Sequence, residues 1–217
     1  MLRITGGQLR GCRLRAPSGR STRPTGARVR EALFQMLSVH VVPRLDGQPG
    51  DGCTVERLQP PGSFDGLRIL DLFAGSGALG LEAVSRGARG CTFVDFSEAA
   101  LACLRSNLLT TRTTAKCIVL RGRAPEALSR VRGCFDLVFM DPPYRYPDHE
   151  TTRVLDALGE LKLLAPQAVV VHEHDARCAP PAWRGTRPRL LRAWGTTAVS
   201  LYGPLASSNC SLESVES

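Results

Sequence analysis

The sequence lacks closely spaced cysteine pairs, which excludes the common zinc and disulfide frameworks. Its eight cysteines are scattered over 217 residues, and no histidine lies at zinc-ligand spacing from two of them. His172 and His174 are expected on one side of a strand, without a third ligand nearby. We therefore predict no metal site and expect reduced, mostly packed thiols.

Long apolar runs are missing as well. The densest apolar cluster, Ala168–Val171, is far shorter than the roughly 20 residues that span a bilayer. Four arginines within the first 15 residues interrupt the apolar segment that a secretory signal would need. We expect a cytoplasmic protein without a membrane span, acting as a monomer.

Lysine is nearly absent, and arginine carries the positive charge. The net charge is +8, and residues 1–38 contain eight arginines against one acid, which leaves +7 at this end of the chain. A biased genome explains the choice of arginine but not its clustering. Because guanidinium groups can hold phosphate through two hydrogen bonds, the cluster predicts contact with nucleic acid.

Glycine and proline divide the chain into segments. Three glycines predict a short hairpin over Leu2–Leu14 with a very small core, and apolar spacing predicts an amphipathic helix from about Gly26 to Val39. Residues 43–66 are rich in glycine and proline and predict a surface loop. The expected segments are an RNA-contacting basic hairpin and helix (1–40), a linker (41–66), a main domain (67–203) and a flexible tail (204–217).

From residue 67 onward, strand and helix patterns alternate. Such alternation requires parallel pairing with helices on both faces of the sheet, and the last two strands are expected to pair antiparallel. We predict an α/β, Rossmann-like fold with a mostly parallel seven-stranded sheet. The predicted strands are Leu67–Phe73, Gly90–Phe96, Ala115–Leu120, Phe135–Met140, Gln167–His172, Arg189–Ala193 and Thr197–Tyr202. The predicted helices are Ala78–Arg86, Glu98–Leu109, Pro125–Arg130 and Thr151–Leu164.

A glycine-rich turn joins the first strand of this domain to its first helix. Gly75, Gly77 and Gly80 form the pattern G-x-G-x-x-G, which predicts a ligand against the backbone. Asp95, at the end of the next strand, is placed to accept ribose hydroxyls of a dinucleotide or of S-adenosylmethionine. Asp71 favours the latter, because a carboxylate repels a pyrophosphate and attracts the ammonium of a methionine group. A tight turn with Asp71 as a helix cap is the alternative.

A second motif, Asp141-Pro142-Pro143-Tyr144, follows the fourth strand at the same edge of the sheet. A base amino group is a weak nucleophile because its lone pair is delocalised into the ring. The prolines offer carbonyls without N–H groups and Asp141 adds a carboxylate, so the segment presents acceptors to the amino hydrogens. Tyr144 offers a ring on which an extruded base can stack. Taken alone, the motif also fits a rigid turn.

Five motifs occur in order along the chain. They are R-I-T-G-G-Q-L-R-G (Arg3–Gly11), R-P-T-G-A-R-V-R-E-A-L-F (Arg23–Phe34), D-L-F-A-G-S-G-A-L-G-L-E-A (Asp71–Ala83), F-M-D-P-P-Y (Phe139–Tyr144) and the strand ending at Tyr202. In these motifs the chain resembles the bacterial small-subunit (16S) ribosomal RNA guanine-N2 methyltransferase family. The resemblance implies a class I S-adenosylmethionine-dependent enzyme acting on ribosomal RNA or on a small-subunit assembly intermediate.

The motifs and the resemblance together give three sets of site residues. The catalytic set is Asp141, Pro142, Pro143 and Tyr144. The cofactor set is Phe34, which would cover the methionine end, with Asp71, Phe73, Ala74, Gly75, Ser76, Gly77, Asp95, Phe96, Arg123 and Ala124. The RNA-binding set is Arg3, Arg10, Arg13, Arg15, Arg23, Thr25 and Arg28.

The chain departs from the family pattern at three places. The loop 43–65 is longer, Ser97 replaces a second acid, and Arg123 stands where the family has Asp or Asn near the adenine. Three alternatives remain open: a methyltransferase for adenine N6 or cytosine N4, a nicotinamide-dependent oxidoreductase, and an RNA-binding module without catalysis. Only the N-terminal motifs argue against the first, while Asp71 and the D-P-P-Y motif have no use in the second.

Overall fold

The computed structural model describes residues 2–17, 26–40, 64–143 and 146–203. Tyr144, Arg23, Thr25, the tail and most of the predicted linker lie outside these residues. The strands are β1 (Arg68–Leu72), β2 (Gly90–Asp95), β3 (Cys117–Arg121), β4 (Phe135–Met140), β5 (Leu164–Asp175), β6 (Leu190–Trp194) and β7 (Thr197–Tyr202). The helices are α1 (Ala27–His40), α2 (Ala78–Ser85), α3 (Glu98–Thr111) and α4 (Asp148–Glu160), with 3-10 helices at Thr114–Lys116 and Glu126–Arg130. None of the described helices is long and apolar enough to cross a membrane.

The seven strands form one mixed sheet in the order β3-β2-β1-β4-β5-β7-β6. The first five in this order are parallel, and β7 lies antiparallel between β5 and β6. The chain runs outward from β1 to β3 and then returns to place β4 on the other side of β1. This reversal opens a crevice at the carboxyl ends of β1 and β4, where sheets of this type bind ligands. The Rossmann-like prediction is confirmed, including the antiparallel closing pair.

Several predicted elements have wrong ends. The helix predicted over Thr151–Leu164 is α4, which begins after Pro147 and ends four residues sooner. Pro147 holds φ at −66°, and two acids occupy the first turn, which favours a helix start there. Lys162 adopts a left-handed φ of 54° that ends the helical path. The strand predicted over Gln167–His172 is the longer β5, because its pairing with β7 continues to Asp175. The predicted start of the third strand is also wrong, because the 3-10 turn displaces it to Cys117.

Two buried apolar clusters cover the two faces of the sheet. One includes Ile69 and α1, and the other includes Leu70 and α4, as expected when successive side chains of a strand point to opposite faces. Ile4 and Leu14 belong to the first cluster. The N-terminal segment, defined as residues 2–17, is therefore packed on the main core. It forms the predicted hairpin through a single antiparallel bridge, between Arg3 and Arg13.

The N-terminal segment is held by Glu82, a fully buried acid on α2. Its carboxylate accepts hydrogen bonds from the backbone N–H groups of Thr5 (2.8 Å) and Gly6 (2.7 Å). The same carboxylate pairs with Arg30 of α1 (3.4 Å) and with Arg86 (2.9 Å). A buried charge must be paired and hydrogen-bonded to be tolerated. Glu82 therefore joins the N-terminal segment, α1 and α2 at one point.

Candidate active site

A cavity of about 380 Å³ opens at the carboxyl edge of the sheet. It is formed by the residues that follow β1, β2, β3 and β4, because parallel strands end at the same edge. It is lined by Phe73, Val94, Asp95, Phe96, Gly122, Arg123, Ala124, Glu126, Pro143, Tyr146, Glu150 and Arg153. Six residues of the predicted cofactor and catalytic sets are thus brought together here: Phe73, Asp95, Phe96, Arg123, Ala124 and Pro143.

Asp95 connects this cavity to the glycine turn. One carboxylate oxygen accepts the N–H of Gly75 (2.8 Å), and the other accepts the N–H of Ser97 at the start of α3 (2.8 Å). Each carboxylate oxygen can accept a second hydrogen bond. Asp95 is thus held rigidly with remaining capacity to accept hydroxyl groups of a ligand.

The glycines of the turn serve different purposes. Gly75 has a φ of 54°, and a Cβ there would meet nothing nearer than the Phe73 carbonyl at 3.9 Å, so the space beside it is open. Gly77 has a φ of 77°, and a Cβ there would lie 2.3 Å from Cδ1 of Leu104. At Gly80, a Cβ would collide with Phe93 and Cys91. Gly77 and Gly80 therefore allow α2 to approach the core closely, and Gly75 leaves room for a ligand.

Asp71 lies behind the turn, only 2% exposed. Its carboxyl group accepts the N–H of Gly80 at 2.9 Å, so it also caps the start of α2. Burial raises the pKa of Asp71 to about 8; the hydrogen bond from Gly80 lowers it, and the charge of Asp95 raises it further. The carboxyl is therefore mostly neutral at pH 7. A cation beside it would lower this pKa and favour loss of the proton.

Phe96 and Arg123 face each other in the cavity. The ring of Phe96 is 43% exposed, and the guanidinium carbon of Arg123 lies 4.1 Å from the ring centroid. This is the geometry of a cation–π contact. Arg123, which departs from the family pattern, thus covers the ring of Phe96, a flat apolar surface of the kind on which a base stacks.

Tyr146 is a cavity residue that the sequence reasoning missed. Its ring packs edge-on against Phe73 with centroids 5.0 Å apart. Its hydroxyl donates to the Ala124 carbonyl (3.2 Å) and its N–H donates to the Pro143 carbonyl (2.7 Å). Tyr146 therefore ties together the segments that follow β1, β3 and β4. A second tyrosine two positions after Tyr144 was the available signal.

The remaining predicted residues have different surroundings. Asp141 directly follows β4 and is half-buried, with Pro142 beside it. Phe34 is fully buried against Phe64 (5.3 Å between centroids) and Phe139 (5.6 Å) and does not line the cavity. Its predicted role in covering the cofactor stays a prediction.

Exposed arginines cover the N-terminal segment. We define the basic patch as Arg3, Arg10, Arg13 and Arg15, all of which are exposed. Within the described residues, none of the four forms an ion pair with a carboxylate. Arg28 on α1 is exposed too, whereas Arg30 is buried with Glu82. The patch is thus a field of uncompensated positive charge.

Comparison with known proteins identifies relatives along the whole described chain. The family model of conserved hypothetical protein 95 matches residues 2–203. The putative rRNA methyltransferase YlbH of Bacillus subtilis is 34% identical, covering 93% of this chain and 98% of that protein. Ribosomal RNA small subunit methyltransferase D of Escherichia coli K12 is 33% identical, covering 93% and 89%. The solved structure of the putative methyltransferase yhhF from Escherichia coli superposes with a TM-score of 0.71 at 32% identity, covering 93% and 97%. The chain therefore belongs to the conserved hypothetical protein 95 family, together with the ribosomal RNA small subunit methyltransferases D.

Proposed function

We propose that this protein transfers a methyl group from S-adenosylmethionine to the exocyclic N2 amino group of a guanine in small-subunit ribosomal RNA. The observation that carries the proposal is the meeting of two parts at one sheet edge. The cavity with Asp95 and Phe96 lies there, and the acceptor segment Asp141–Pro143 begins there directly after β4. The names of the relatives support ribosomal RNA as the substrate class.

The residues present fit S-adenosylmethionine. Asp95 has free acceptor capacity for ribose hydroxyls, the Phe96 ring and the Arg123 guanidinium provide flat surfaces beside which the adenine would lie, and Gly75 leaves room beside the turn. Asp71 supplies a buried carboxyl for the ammonium of the methionine group. When bound, this cofactor supplies an electrophilic methyl group. Within the described residues no group of three or more metal-ligating side chains is found.

The chain's own residues position the nucleophile. The carboxylate of Asp141 and the carbonyl of Pro142 accept the two hydrogens of the amino group, which turns its lone pair toward the methyl group, while the Pro143 carbonyl holds the segment through the Tyr146 N–H. Positive charge develops on the nitrogen as it gains the methyl group; the Asp141 carboxylate stabilises this charge, and the proton that the nitrogen then loses passes through this carboxylate to solvent. Tyr144 is proposed to stack on the extruded base. The basic patch, Arg28 and, by the sequence prediction, Arg23 and Thr25 would hold the flanking RNA backbone.

A methylation assay tests this proposal. Ribosomal RNA and small-subunit particles from cells lacking the gene are incubated with the protein and S-adenosylmethionine, and digested nucleosides are identified by mass spectrometry. We expect N2-methylguanosine from at least one of the two substrates. N6-methyladenosine or N4-methylcytidine would show that the base assignment is wrong, and no methylated nucleoside would refute the activity. A cytoplasmic location and a monomeric state stay predictions.

A further inference from the structure

We propose that Asn107 is a positioning residue that couples RNA docking on the N-terminal segment to cofactor binding at the glycine turn. Asn107 lies on α3 and is 1% exposed. The inference rests on the proposed function, because it assumes that RNA binds the basic patch and that the cofactor binds beside Gly75. It adds a physical link between these two sites.

The side-chain amide of Asn107 bonds to both sites at once. Its Oδ1 accepts the N–H of Arg15 at 2.8 Å, and its Nδ2 donates to the Arg15 carbonyl at 3.0 Å. The same Nδ2 donates to the Ser76 carbonyl at 2.9 Å. Both Nδ2 hydrogens and one oxygen lone pair are thus engaged. Because the amide is planar, two bonds to Arg15 fix its plane and the third fixes Ser76.

Ser76 is the central residue of the glycine turn, and its position matters for the ligand. Its neighbour Gly75 donates its N–H to Asp95 at 2.8 Å. A shift of the Ser76 carbonyl therefore moves the Gly75 N–H relative to Asp95, the proposed ribose ligand. The positions of Arg15 and Asp95 are connected through a chain of three hydrogen bonds.

Arg15 is the RNA-side end of this chain. Its backbone is held by Asn107, while its side chain is exposed within the basic patch. RNA that contacts the patch restricts the backbone of residue 15 and, through Asn107, the glycine turn. The remaining motion of the turn is then lost once for both ligands, which makes the second ligand bind more tightly. Linkage requires the effect to be reciprocal.

Ser85 provides a matched comparison. Its hydroxyl accepts the N–H of Leu9 (2.9 Å) and donates to the Gly6 carbonyl (2.6 Å). Ser85 thus anchors the same N-terminal segment to the core, and these side-chain bonds involve no residue of the glycine turn. Ser85→Ala and Asn107→Leu both loosen the anchor, but Asn107→Leu alone cuts the bond to Ser76.

The affinity for S-adenosylhomocysteine is measured by calorimetry with and without 16S ribosomal RNA from cells lacking the gene. We expect RNA to raise this affinity about five- to tenfold in the unaltered protein and in Ser85→Ala, and less than twofold in Asn107→Leu. Asn107→Asp, which keeps the acceptor for Arg15, serves if the leucine variant does not fold. The coupling is overturned if RNA raises the affinity by the same factor in all variants, or if it does not raise the affinity of the unaltered protein.

A second measurement uses the unaltered protein without RNA. We expect S-adenosylhomocysteine to slow hydrogen exchange at the Arg15 amide, which bonds to Asn107, more than at the Leu9 amide, which bonds to Ser85. Equal protection of both amides overturns the link. Methyl transfer is measured separately with S-adenosylmethionine on this RNA and on small-subunit particles. Its absence from both refutes the proposed function alone, because the exchange comparison still decides the role of Asn107.

Discussion

We predict that the buried carboxyl of Asp71 makes cofactor binding sensitive to pH. Its pKa of about 8 means that it carries a proton near pH 6.5 in the free protein. A ligand α-amino group, with a pKa of about 8 or above, is charged at that pH. Placing this ammonium beside Asp71 favours the carboxylate, because an opposite charge lowers a carboxyl pKa. Binding should therefore release close to one proton at about pH 6.5.

The same reasoning sets the size of the pH effect. If only the carboxylate form binds, affinity rises about tenfold for each pH unit between about 5.5 and 7. Titration calorimetry of S-adenosylhomocysteine, in two buffers with different ionisation enthalpies, counts the released protons. Asp71→Asn keeps an acceptor for the Gly80 N–H and has no proton to release, so its binding should be weaker and independent of both buffer and pH.

The free energy of unfolding should fall as pH rises, whereas the cofactor affinity should increase. Because folding raises the pKa of Asp71 above its ordinary value of 3.8, the folded state retains a proton that the unfolded state loses. This group therefore lowers the free energy of unfolding as pH rises from about 4 to about 8, with no further loss above that. Asp71→Asn should gain in stability relative to the unaltered protein over the same window. Equal heats in both buffers, together with identical pH profiles for the two proteins, would refute the role given to Asp71.

Four further predictions concern other parts of the site. Gly77→Ala should lower the melting temperature much more than Gly75→Ala, because the new Cβ at position 77 enters the space of Leu104. Gly75→Ala should mainly weaken the binding of S-adenosylhomocysteine, measured by calorimetry. Asp141→Asn should reduce the methylation rate about 100-fold with cofactor affinity nearly unchanged. Replacing Arg10 and Arg13 by Gln should flatten the slope of log RNA affinity against log salt concentration by about 1.5 in filter binding. Glu82→Gln should lower the free energy of unfolding by about 3–5 kcal/mol in urea titrations, because it leaves buried Arg30 without its counter-charge.

Each of these predictions has a control or a contrary outcome. Equal melting temperatures for the two glycine variants would show that the core around Leu104 is loose. Full activity of Asp141→Asn would remove the carboxylate from the mechanism. Arg187 and Arg192 are exposed and lie far from the basic patch in sequence. Replacing both by Gln should leave the slope of log RNA affinity against log salt concentration unchanged. If Glu82→Gln is as stable as the unaltered protein, the buried pair contributes no net stability.

The glycine turn shows how far the sequence reasoning reaches. Strand, turn and helix were predicted correctly around it, because the spacing of apolar residues and glycines is local. The pattern did not separate the glycine beside open space, Gly75, from Gly77, whose neighbour Leu104 is 27 positions away. Asp71 illustrates the same limit: its carboxyl caps α2, which was the alternative interpretation, and its role as a cofactor ligand stays a prediction.

The residues that sequence reasoning missed are those whose partners lie far along the chain. Glu82 was read only as part of a motif, since its partners Thr5 and Arg30 are 77 and 52 positions away. Asn107 carried no signal at all on α3. Tyr146 is closer to a motif, but its contact with Ala124 depends on where β3 ends. Such contacts follow from the topology of the sheet, which a pattern of residue types fixes only in outline.

The attachment of the N-terminal segment to α2 and α3 determines when this segment can be fixed during folding. The bonds of Thr5, Gly6 and Leu9 span 76 or 77 positions, and the bond of Arg15 to Asn107 spans 92. A nascent chain emerges in the order of its sequence, so Thr5, Gly6 and Leu9 lack these partners until α2 has been synthesised, and Arg15 lacks Asn107 until α3 has been synthesised. Contacts of such long range form late and slow the search for the native state. Ile4 and Leu14 can therefore be fixed in the core only after α2 and α3 have followed them, so a segment that is made early is among the last to be fixed.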